Sequence, residues 1–225
     1  MRNKRPRQNA RIYNPKTYES FNLWLDYWTQ FELINDLKPK SILEVGKGIG
    51  TLEYLLKRQG YQYTSADRER SLKPDVICDI TDIPLKSKSH DVVCAFEVLE
   101  HIPYSEFEKA LREMGRIARK GVIISIPHST FYLGMAFSFF YAKRLGWLFR
   151  LLKMKPHTPK HFSLKIPTFF LNTQGMIPMH AWEMGRKNYP KKKIENSIKK
   201  AGFSITKQQD RIFYPYHHFY VLRPQ

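Results

Sequence analysis

Three glycines and the acids that follow them are the residues of this chain whose types and spacing most clearly allow ligand chemistry. Gly46, Gly48 and Gly50 come directly after the apolar segment SILEV and before an amphipathic segment. Glycines in such a turn let the backbone bend sharply, and they let a ligand approach main-chain atoms without meeting a Cβ. Asp67 ends the next apolar segment, where a carboxylate can accept hydrogen bonds from both hydroxyls of a ribose. This arrangement indicates a site for a ligand that contains a nucleoside.

Two further acids extend this candidate site. Asp79 closes the segment VICD, and its side chain together with the backbone of Ile80 could contact an adenine edge. Glu44 lies two residues before Gly46, and its carboxylate could order the loop or face a cationic ligand. Any one of these acids is more often a cap or a turn residue. Three successive strand ends that each carry an acid or a glycine turn nevertheless favour a shared binding edge.

The glycine spacing argues against two common nucleotide-binding motifs. In GKGIG the third glycine comes one residue too early for the GxGxxG fingerprint, and Thr51 stands where that fingerprint needs Gly or Ala. The tripeptides Gly-Lys-Ser and Gly-Lys-Thr of the P-loop are absent from the chain. NAD, FAD and P-loop nucleotides are therefore disfavoured as ligands.

Strand-like and helix-like segments alternate through the middle of the sequence and must position these residues. Val- and Ile-rich segments predict strands, and segments with apolar residues at helical spacing predict helices. The predicted strands are SILEV, YQYTSAD, DVICD, HDVVCAF and GVIISIP, and the predicted helices are TLEYLLKRQG and SEFEKALREMGRIARK. Ser105 is the expected N-cap of the second helix. This order predicts a doubly wound α/β fold with a mostly parallel sheet, in which ligands lie beyond the carboxyl ends of the strands.

The chain is predicted to divide into four regions. Residues 1–35 are a basic N-terminal arm and helix, and residues 36–127 are the ligand-binding core. Residues 128–182 are aromatic and basic, carry no strand signal as clean as those of the core, and are interpreted as an insertion or lid. Residues 183–225 contain a helix from about Lys191 to Ala201, followed by strand candidates FSITKQQ and HHFYVL. These two strands should complete the sheet at one edge and be antiparallel at least in part.

The ordered motifs of the core resemble those of a known family. ILEVGKGIGTL, Asp67, CDITDIPL and HDVVCAFEVLEHIP are similar to the successive motifs of class I S-adenosylmethionine-dependent methyltransferases. Within that class, the resemblance is greatest to the small-molecule branch that includes ubiquinone and menaquinone biosynthesis enzymes. It covers roughly residues 38–127. It implies a Rossmann-like, seven-stranded, mostly parallel sheet with an antiparallel last strand, and S-adenosylmethionine as the cofactor.

The same resemblance implies a role for each matching residue. The three glycines would contact the methionine and ribose portion, Asp67 the ribose, and Asp79 with Ile80 the adenine. Phe96 and Glu97, which follow the fourth strand, would border the methyl group and the acceptor. Lys47 departs from what the site needs, because a basic side chain that pointed inward would oppose a positively charged sulfonium.

Histidines after two of the strands are candidate general bases. Methyl transfer from a sulfonium mainly requires alignment of the two reactants, because the leaving group is already excellent. A hydroxyl or carbon acceptor also needs a base within hydrogen-bond reach, and histidine suits this near neutral pH. His101 and His128 both lie on the ligand edge of the predicted sheet, and either could be that base or simply order a loop; His180 is a weaker candidate. No pair of histidines shows ligand spacing with an acidic partner, so no metal site is predicted.

Composition and charge restrict the class of protein. A chain of 225 residues with 42% hydrophobic residues is long enough for a folded domain with a substantial core. Cys78 and Cys94 both lie in apolar segments and are expected to be inert core thiols, which excludes a disulfide framework and a cysteine-built zinc site. The N-terminal segment MRNKRPRQNAR is not followed by an apolar stretch, so we expect a cytoplasmic protein without a signal peptide.

The positive charge of the chain is concentrated in its second half. Residues 1–113 carry 18 Lys and Arg against 17 Asp and Glu, whereas residues 114–225 carry 20 against 3, a net charge of +17. Such a surface attracts phosphates, nucleic acid or anionic membrane, although a solvated basic face is the plain alternative.

The insertion adds apolar surface to this basic half. Phe131–Ala142 is an uncharged run that is too short for a membrane span of roughly 20 residues. After it, Leu145, Leu148, Phe149 and Leu152 repeat at helical spacing opposite basic residues. Such a helix is typical of an element that lies on an anionic membrane, and equally of a lid that closes over the active site. Peripheral attachment at the inner face of the membrane is a further expectation.

Three functions follow from these observations. The leading prediction is a methyltransferase that acts on a small or lipid-linked molecule, with an acidic head group or membrane at the basic half. The second is an RNA methyltransferase, favoured by the charge and by aromatic residues that could stack bases: Tyr214, Tyr216, Phe219 and Tyr220. Methyltransferases that act on exocyclic base nitrogens resemble one another in carrying the tetrapeptide Asn-Pro-Pro-Tyr after the fourth strand. This chain has AFEV there, so nucleic acid is the second choice of acceptor. The third is a non-catalytic module that keeps the fold, an alternative that rests on Lys47.

Overall fold

The computed structural model describes residues 20–137, 160–166, 179–211 and 216–225. The basic arm before Ser20, the predicted amphipathic helix over residues 145–152, most of the predicted insertion and Tyr214 lie outside these residues. The helices and strands are α1 (Phe21–Asp36), β1 (Ser41–Val45), α2 (Thr51–Arg58), β2 (Gln62–Asp67), β3 (Val76–Ile77), β4 (His90–Phe96), α3 (Phe107–Ile117), β5 (Ala118–Pro127), β6 (Phe131–Phe137), β7 (Lys160–Ile166), α4 (Lys191–Lys200), β8 (Phe203–Asp210) and β9 (His217–Pro224).

Seven strands form one sheet in the order β3-β2-β1-β4-β5-β9-β8. The five strands from β1 to β5 pair in parallel, because a helix or a loop returns the chain to the same end before each new strand. β9 pairs antiparallel to both β5 and β8. The carboxyl ends of β1, β2, β4 and β5 therefore lie on one edge of the sheet, which is where the predicted site residues begin.

Both faces of the sheet are covered by helices, and the side chains of each strand alternate between them. Leu43 and Val45 pack in one cluster with residues of α3 and α4, among them Leu111 and Ile198. Ile42, one residue away, packs in the other cluster with residues of α1 and α2, including Leu33, Ile34, Leu52 and Leu56. This two-sided burial explains the continuous apolar character of β1 and β4. The predicted doubly wound, mostly parallel seven-stranded fold with an antiparallel last strand is confirmed.

The region before α3 differs from the prediction. Ser105 was expected to cap the helix, but it lies within a 3-10 turn over Tyr104–Glu106. Pro103 starts that turn, so the α-helix begins only at Phe107, and Glu106 flanks it without a side-chain cap. The helix also ends at Ile117 instead of Lys120, because Ala118 already pairs with His90 as the first residue of β5.

The start of the predicted insertion is a strand. β6 and β7 form a separate two-stranded antiparallel sheet, with a register that runs from Phe131 opposite Ile166 to Phe137 opposite Lys160. The sequence of β6 gives no clean strand signal, because continuous apolar residues without alternation do not distinguish a strand from a helix. No helix in the described part of the chain is long and apolar enough to cross a membrane.

The two cysteines are free thiols, as predicted. Cys94 is buried on β4, and Cys78 is half-buried just after β3. Burial raises the pKa of the Cys78 thiol to about 11. A neutral thiol is a poor nucleophile and a poor metal ligand, so neither reactivity nor metal binding is expected at Cys78.

Candidate active site

The glycine turn links the end of β1 to the start of α2. Gly46 has φ of +88°, and its N–H donates a 2.8 Å hydrogen bond to the carbonyl of Ala66 on β2. A Cβ at this position would lie 2.2 Å from Cγ2 of Val98, so only glycine fits. Gly48 has φ of +55°, and a Cβ there would meet no atom within 4 Å. The turn is therefore packed tightly at Gly46 and leaves open space at Gly48, as a backbone cradle for a ligand requires.

Lys47 is paired instead of presenting a free charge to this turn. Its ammonium group lies 2.7 Å from a carboxylate oxygen of Glu53 on α2 and donates a 3.4 Å hydrogen bond to the carbonyl of Lys73. The hydrogen bonds and charges of Lys47 and Lys57 hold the pKa of Glu53 below its usual range, although partial burial works against them. Glu53 is therefore ionised near neutral pH and balances the charge of Lys47. This pairing removes the main objection to a cationic ligand at the turn.

Asp67 and Asp79 both follow strand ends, and each also supports its own loop. Asp67 is the last residue of β2, and its Oδ1 accepts a 2.8 Å hydrogen bond from the N–H of Glu69. Burial raises the pKa of Asp67, an effect that hydrogen bonds from backbone N–H groups oppose. Asp79 Oδ1 accepts hydrogen bonds from the N–H and the hydroxyl of Thr81, each of 2.9 Å. Neighbouring Ile80 is buried. The ribose and adenine contacts of these residues remain predictions.

Glu44 is a buried carboxyl group directly below the glycine turn. It accepts a hydrogen bond from the hydroxyl of Tyr63. Burial raises the pKa of Glu44 to about 8, although the hydrogen bond from Tyr63 and the charge of Lys47 lower it. The group is therefore mostly protonated near neutral pH. Of the two roles predicted for Glu44, its hydrogen bond and burial fit support of the loop better than contact with a cationic ligand.

Glu97 follows β4 and is held by a buried polar network. Its backbone has φ of +54°, and its carboxylate accepts a 2.7 Å hydrogen bond from the hydroxyl of Ser125. The other carboxylate oxygen lies 2.9 Å from Nε2 of His217, whose Nδ1 lies 2.9 Å from a carboxylate oxygen of Asp26 on α1. Burial alone would lower the pKa of His217, but the charges of Glu97 and Asp26 and their hydrogen bonds raise it to about 9. His217 is therefore a cation that orients Glu97.

The network around Glu97 was missed in the sequence. His217 was noted only as part of a strand, and Asp26 only as part of a helix. The two residues lie 191 positions apart in sequence, so no local spacing connects them. The one available signal was the His-His pair at the start of the last predicted strand.

The side chain of Phe96 faces away from the site, unlike that of its neighbour Glu97. Its ring is buried and lies 6.2 Å from the ring of Phe219, in the core beside α1 and α2. The side chain therefore faces the core, and the part of Phe96 that remains at the binding edge is its backbone.

The two candidate bases have separate surroundings. His101 lies in a 3-10 turn after β4, and its Nδ1 is 3.1 Å from the carbonyl of Met179. Burial lowers the pKa of His101, so its ring is neutral near neutral pH. His128 follows β5, where its N–H donates to the carbonyl of Tyr216 and its ring lies 6.0 Å from that of His218. Because the N–H of Nδ1 in His101 has an acceptor in Met179, Nε2 keeps a lone pair that can accept a proton.

The weaker candidate, His180, lies beside His101, with their ring centroids 5.0 Å apart. Nδ1 of His180 is 2.8 Å from a carboxylate oxygen of Glu183, which also pairs with Arg186. Glu100, from the same turn as His101, is completely buried next to both histidines. Burial and the nearby charge of Glu97 raise the pKa of Glu100 well above its usual value.

Two of the aromatic residues predicted to stack bases are not accessible. Phe219 and Tyr220 are buried on β9, and the hydroxyl of Tyr220 donates to the sulfur of Met184. That part of the prediction is wrong, because the strand lies inside the sheet between β5 and β8. Tyr216 is half-buried, and its hydroxyl lies 3.4 Å from Glu183.

One family model of known proteins covers the part of the chain that contains this site. Residues 43–126 match a family described as Methyltransferase domain, and these residues include the glycine turn, Asp67, Asp79 and Glu97. A search of curated proteins found no match.

Solved structures share the fold over nearly the whole chain. An S-adenosylmethionine-dependent methyltransferase from Clostridium acetobutylicum is 14% identical with a TM-score of 0.55, and the match covers 96% of this chain and 97% of that one. Magnesium protoporphyrin IX methyltransferase from Synechocystis with bound SAH is 15% identical with a TM-score of 0.57, over 96% and 92% of the two chains. The 1,6-didemethyltoxoflavin-N1-methyltransferase of Burkholderia thailandensis, with its substrate and S-adenosylhomocysteine, is 14% identical with a TM-score of 0.52, over 98% and 92%.

These similarities agree with the enzyme class and the cofactor that the sequence predicted. Residues 43–126 of this chain thus match a methyltransferase domain, and the chain shares its Rossmann-like fold with solved S-adenosylmethionine-dependent methyltransferases.

Proposed function

We propose that this protein transfers a methyl group from S-adenosylmethionine to a small-molecule acceptor at the carboxyl edge of its sheet. The observation that carries the proposal is the open space at Gly48, between a tightly packed Gly46 and the start of α2. Asp67 ends the neighbouring strand β2, at the same edge of the sheet. The residues present therefore fit an adenosyl ligand, with the glycine turn at the methionine and ribose portion, Asp67 at the ribose, and Asp79 with Ile80 at the adenine.

The bound cofactor would supply an activated methyl group, and the residues of the chain would supply position and a proton acceptor. Glu97 is fixed by Ser125 and His217 and borders the acceptor side of the site. His101 and His128 are the candidate bases for a hydroxyl or carbon acceptor. The neutral ring of His101, with Nδ1 directed at the carbonyl of Met179, is suited to accept a proton at Nε2.

An anionic or lipid-linked acceptor fits the charge of the chain. The net charge of +17 over residues 114–225 favours a molecule with a carboxylate or phosphate group, or one presented at an anionic membrane. Two proteins that share the fold act on small molecules, a porphyrin and a toxoflavin precursor, as their names state. The ubiquinone and menaquinone biosynthesis branch, suggested by the motif resemblance, belongs to this acceptor class. A cytoplasmic location with peripheral attachment at the membrane is part of the same proposal.

An RNA acceptor is the second candidate, and the observation in its favour is again the positive charge of the second half. Its support is weaker than the sequence suggested, because Phe219 and Tyr220 are buried and cannot stack on bases. The non-catalytic alternative rested on Lys47, and the ion pair with Glu53 removes that objection to cofactor binding.

Two measurements, made one after the other, test the proposal. The first is calorimetric titration of the full chain with S-adenosylmethionine and with S-adenosylhomocysteine, in which we expect binding of one equivalent. Absence of both heat and a thermal shift would contradict cofactor binding. The second is incubation with S-adenosylmethionine that carries a radiolabelled methyl group, together with separated lipid, small-metabolite and RNA fractions. Label in the lipid or metabolite fraction supports the acceptor class, and label confined to RNA would establish the second candidate instead.

A further inference from the structure

We propose that Glu100, His101 and His180 bind a divalent transition-metal cation such as Zn²⁺ or Mn²⁺. These three residues are called the Glu100 cluster below. Glu100 and His101 lie in the turn after β4, and His180 is brought to them by the segment that precedes α4. The inference concerns a second ligand of the protein, so it goes beyond the proposed methyl transfer and does not depend on it.

The first argument is the environment of Glu100. Its side chain is completely buried, and among the described residues neither carboxylate oxygen has a partner with hydrogen-bond geometry, although the carboxyl group of Glu97 lies close enough to raise the pKa of Glu100. A buried carboxyl group without partners is costly, and proteins rarely retain one unless it pairs with a charge or coordinates a metal. A bound cation would give both oxygens the partner that they lack.

The second argument is the spacing of the possible ligand atoms. Oε1 of Glu100 is 3.9 Å from Nε2 of His101 and 4.0 Å from Nε2 of His180. One ligand atom from each of the three residues lies within 4.8 Å of the other two. Zinc binds nitrogen and carboxylate oxygen at about 2.0–2.2 Å, so the ligand atoms of a tetrahedral site lie about 3.3–3.6 Å from one another. The two measured separations from Glu100 exceed this range by a few tenths of an ångström, so the ligand atoms would have to draw slightly closer when an ion binds.

The third argument is the orientation of the two imidazole rings. Nδ1 of His101 lies 3.1 Å from the carbonyl of Met179, and Nδ1 of His180 lies 2.8 Å from a carboxylate oxygen of Glu183. Each Nδ1 can donate its proton to these acceptors, which leaves both Nε2 lone pairs directed at Glu100. Histidine ligands of metals are held in this way, with the other ring nitrogen bonded to a carbonyl or carboxylate.

Glu183 strengthens this arrangement. Its second carboxylate oxygen is 2.8 Å from a guanidinium nitrogen of Arg186, so the carboxylate is fixed while it accepts from His180. No metal site is predicted from the sequence, because no pair of histidines shows ligand spacing with an acidic partner. Glu183 is three residues after His180, and Glu100 is 80 residues away in sequence, so sequence spacing alone did not connect the two acids to both histidines.

Two nitrogens and one carboxylate indicate the class of ion. Imidazole ligands favour Zn²⁺ and other late first-row transition metals over Mg²⁺ and Ca²⁺, which prefer oxygen, and Mn²⁺ binds such mixed sites more weakly than Zn²⁺. Three protein ligands would leave coordination positions open for water or for another molecule, as in catalytic zinc sites. An ion at Nε2 of His101 would also occupy the lone pair of that candidate base, and the base role would then fall to His128.

Metal titration of the untagged full chain, after dialysis against a chelator, tests the proposal. We expect Zn²⁺ to bind with one equivalent at this cluster, Mn²⁺ more weakly, and Mg²⁺ with no detectable heat. Glu100→Gln and His180→Ala should each weaken Zn²⁺ binding by roughly tenfold or more. His90→Gln is the matched control, because the ring of His90 bonds Ser89 and Thr64 at the opposite end of β4, and its affinity should equal that of the unchanged chain.

A competing group of residues must be distinguished by the same experiment. His128, Asp210 and His218 also bring possible ligand atoms close together, although Asp210 and Gln208 already contact the ring of His218. His218→Ala should leave Zn²⁺ affinity at the Glu100 cluster unchanged. If His218→Ala abolishes binding while Glu100→Gln and His180→Ala do not, the assignment to the Glu100 cluster is wrong.

Two measurements on the unchanged chain test the metal site even if a variant does not fold. Co²⁺ substituted for Zn²⁺ should give absorption bands typical of nitrogen and oxygen coordination, and a crystal soaked in Zn²⁺ should show an anomalous peak between Glu100, His101 and His180. Absence of binding by the unchanged chain at millimolar Zn²⁺, or an anomalous peak elsewhere, would overturn the proposal. Because none of these measurements includes S-adenosylmethionine, their failure is distinct from failure of the proposed methyl transfer.

Discussion

Four carboxyl groups that are wholly or largely buried are stabilised in four different ways, and the differences suggest what each group does. Glu44 receives a hydrogen bond from Tyr63, Glu97 is held by His217 and Ser125, and Asp26 pairs with Arg211. Glu100 has no hydrogen-bond partner among the described residues. Each of the first three groups has a partner within the chain, although Oδ1 of Asp26 has none among the described residues. Glu100 lacks a partner at both oxygens, so an external ligand is its natural partner.

Glu44 should make the stability of the protein depend on pH. Its pKa is raised from 4.5 to about 8 by burial, so between these values the folded state keeps a proton that the unfolded chain loses. The free energy of unfolding should therefore fall as pH rises through this range, by about 3 to 5 kcal/mol in total. Glu44→Gln cannot ionise and should remove that part of the pH dependence.

Urea unfolding at pH 5, 7 and 9 measures this effect as the difference in the free energy of unfolding between the unchanged chain and Glu44→Gln. Other titrating groups are common to both chains and cancel in the difference. A difference that stays constant over these three pH values would show that Glu44 is ionised in the folded protein.

Asp67 is expected to contribute to cofactor binding through its charge. Asp67→Asn keeps an oxygen that can accept from the N–H of Glu69 but removes the negative charge that would face the ribose hydroxyls. We expect the affinity for S-adenosylmethionine to fall by about 1 to 3 kcal/mol, which is roughly 5- to 150-fold in Kd. Calorimetric titration gives the comparison.

Glu69→Gln is the matched control for Asp67→Asn. It neutralises a carboxylate in the same loop that accepts hydrogen bonds from the N–H and hydroxyl of Ser71. Its affinity should be close to that of the unchanged chain. Equal losses in both variants would indicate that loop order, and not a ribose contact, explains the result.

At the scale of residues, the site residues that follow strand ends could be predicted from the sequence. The residues that contact them from distant parts of the chain could not. Gly46 and Asp67 could be recognised because a ligand edge follows from the order of strands. His217 and His180 could not be linked to Glu97 and Glu100, because these acids lie many tens of residues away in sequence. Only the folded chain places them at the site.

At the scale of elements, strands flanked by clear turns were predictable, and elements without such signals were not. The glycine turn after β1 and the turn before β4 mark the strand ends in the sequence itself. β6 has no alternation and few turn residues, so its pairing with β7 was not foreseen. The start of α3 was misplaced because Pro103 and the 3-10 turn that follows it postpone the helix by one residue.

The glycine turn gives the sharpest prediction at this scale. Gly46→Ala would place a Cβ 2.2 Å from Val98 in a left-handed conformation, so it should lower the free energy of unfolding by more than 2 kcal/mol. Gly48→Ala meets no atom within 4 Å and should cost only about 1 to 2 kcal/mol, the strain of the left-handed backbone. The methyl group of Gly48→Ala would nevertheless occupy the open space, so cofactor affinity should fall.

Urea unfolding together with cofactor titration separates the two effects in this turn. Gly46→Ala is expected to lower mainly the free energy of unfolding, and Gly48→Ala mainly the affinity for the cofactor. Undiminished affinity of a folded Gly48→Ala chain would show that the ligand does not approach the backbone at this position.

At the scale of the whole molecule, the ends of the described chain meet at the site. Asp26 on α1 pairs with Arg211 between β8 and β9 and with His217 at the start of β9, and His217 in turn contacts Glu97 after β4. Elements from the beginning, middle and end of the sequence therefore share one buried network. The order of strands was predictable from the alternation of elements, but this connection was not, because it joins residues nearly the whole chain apart.

Removal of Asp26 tests how much this connection contributes to stability. Asp26→Ala would leave Arg211, which is buried to the same degree, without its counter-charge, and should lower the free energy of unfolding by roughly 3 to 5 kcal/mol. The exposed ion pair between Asp36 of the same helix and Lys207 of β8 is the matched control. Asp36→Ala should change stability by less than about 1 kcal/mol. Similar urea midpoints for the two variants would contradict a structural role for the buried pair.

The position of β9 has a consequence for how the protein is made. β9 follows the other six strands of the sheet in sequence, yet it lies between two of them, β5 and β8. During synthesis on the ribosome, the exposed edge of β5 must wait unpaired until nearly all of the described chain has emerged, and it is then vulnerable to pairing with other chains. A protein shortened by its last strand would expose two open edges at once, so such truncations should aggregate instead of remaining partly active.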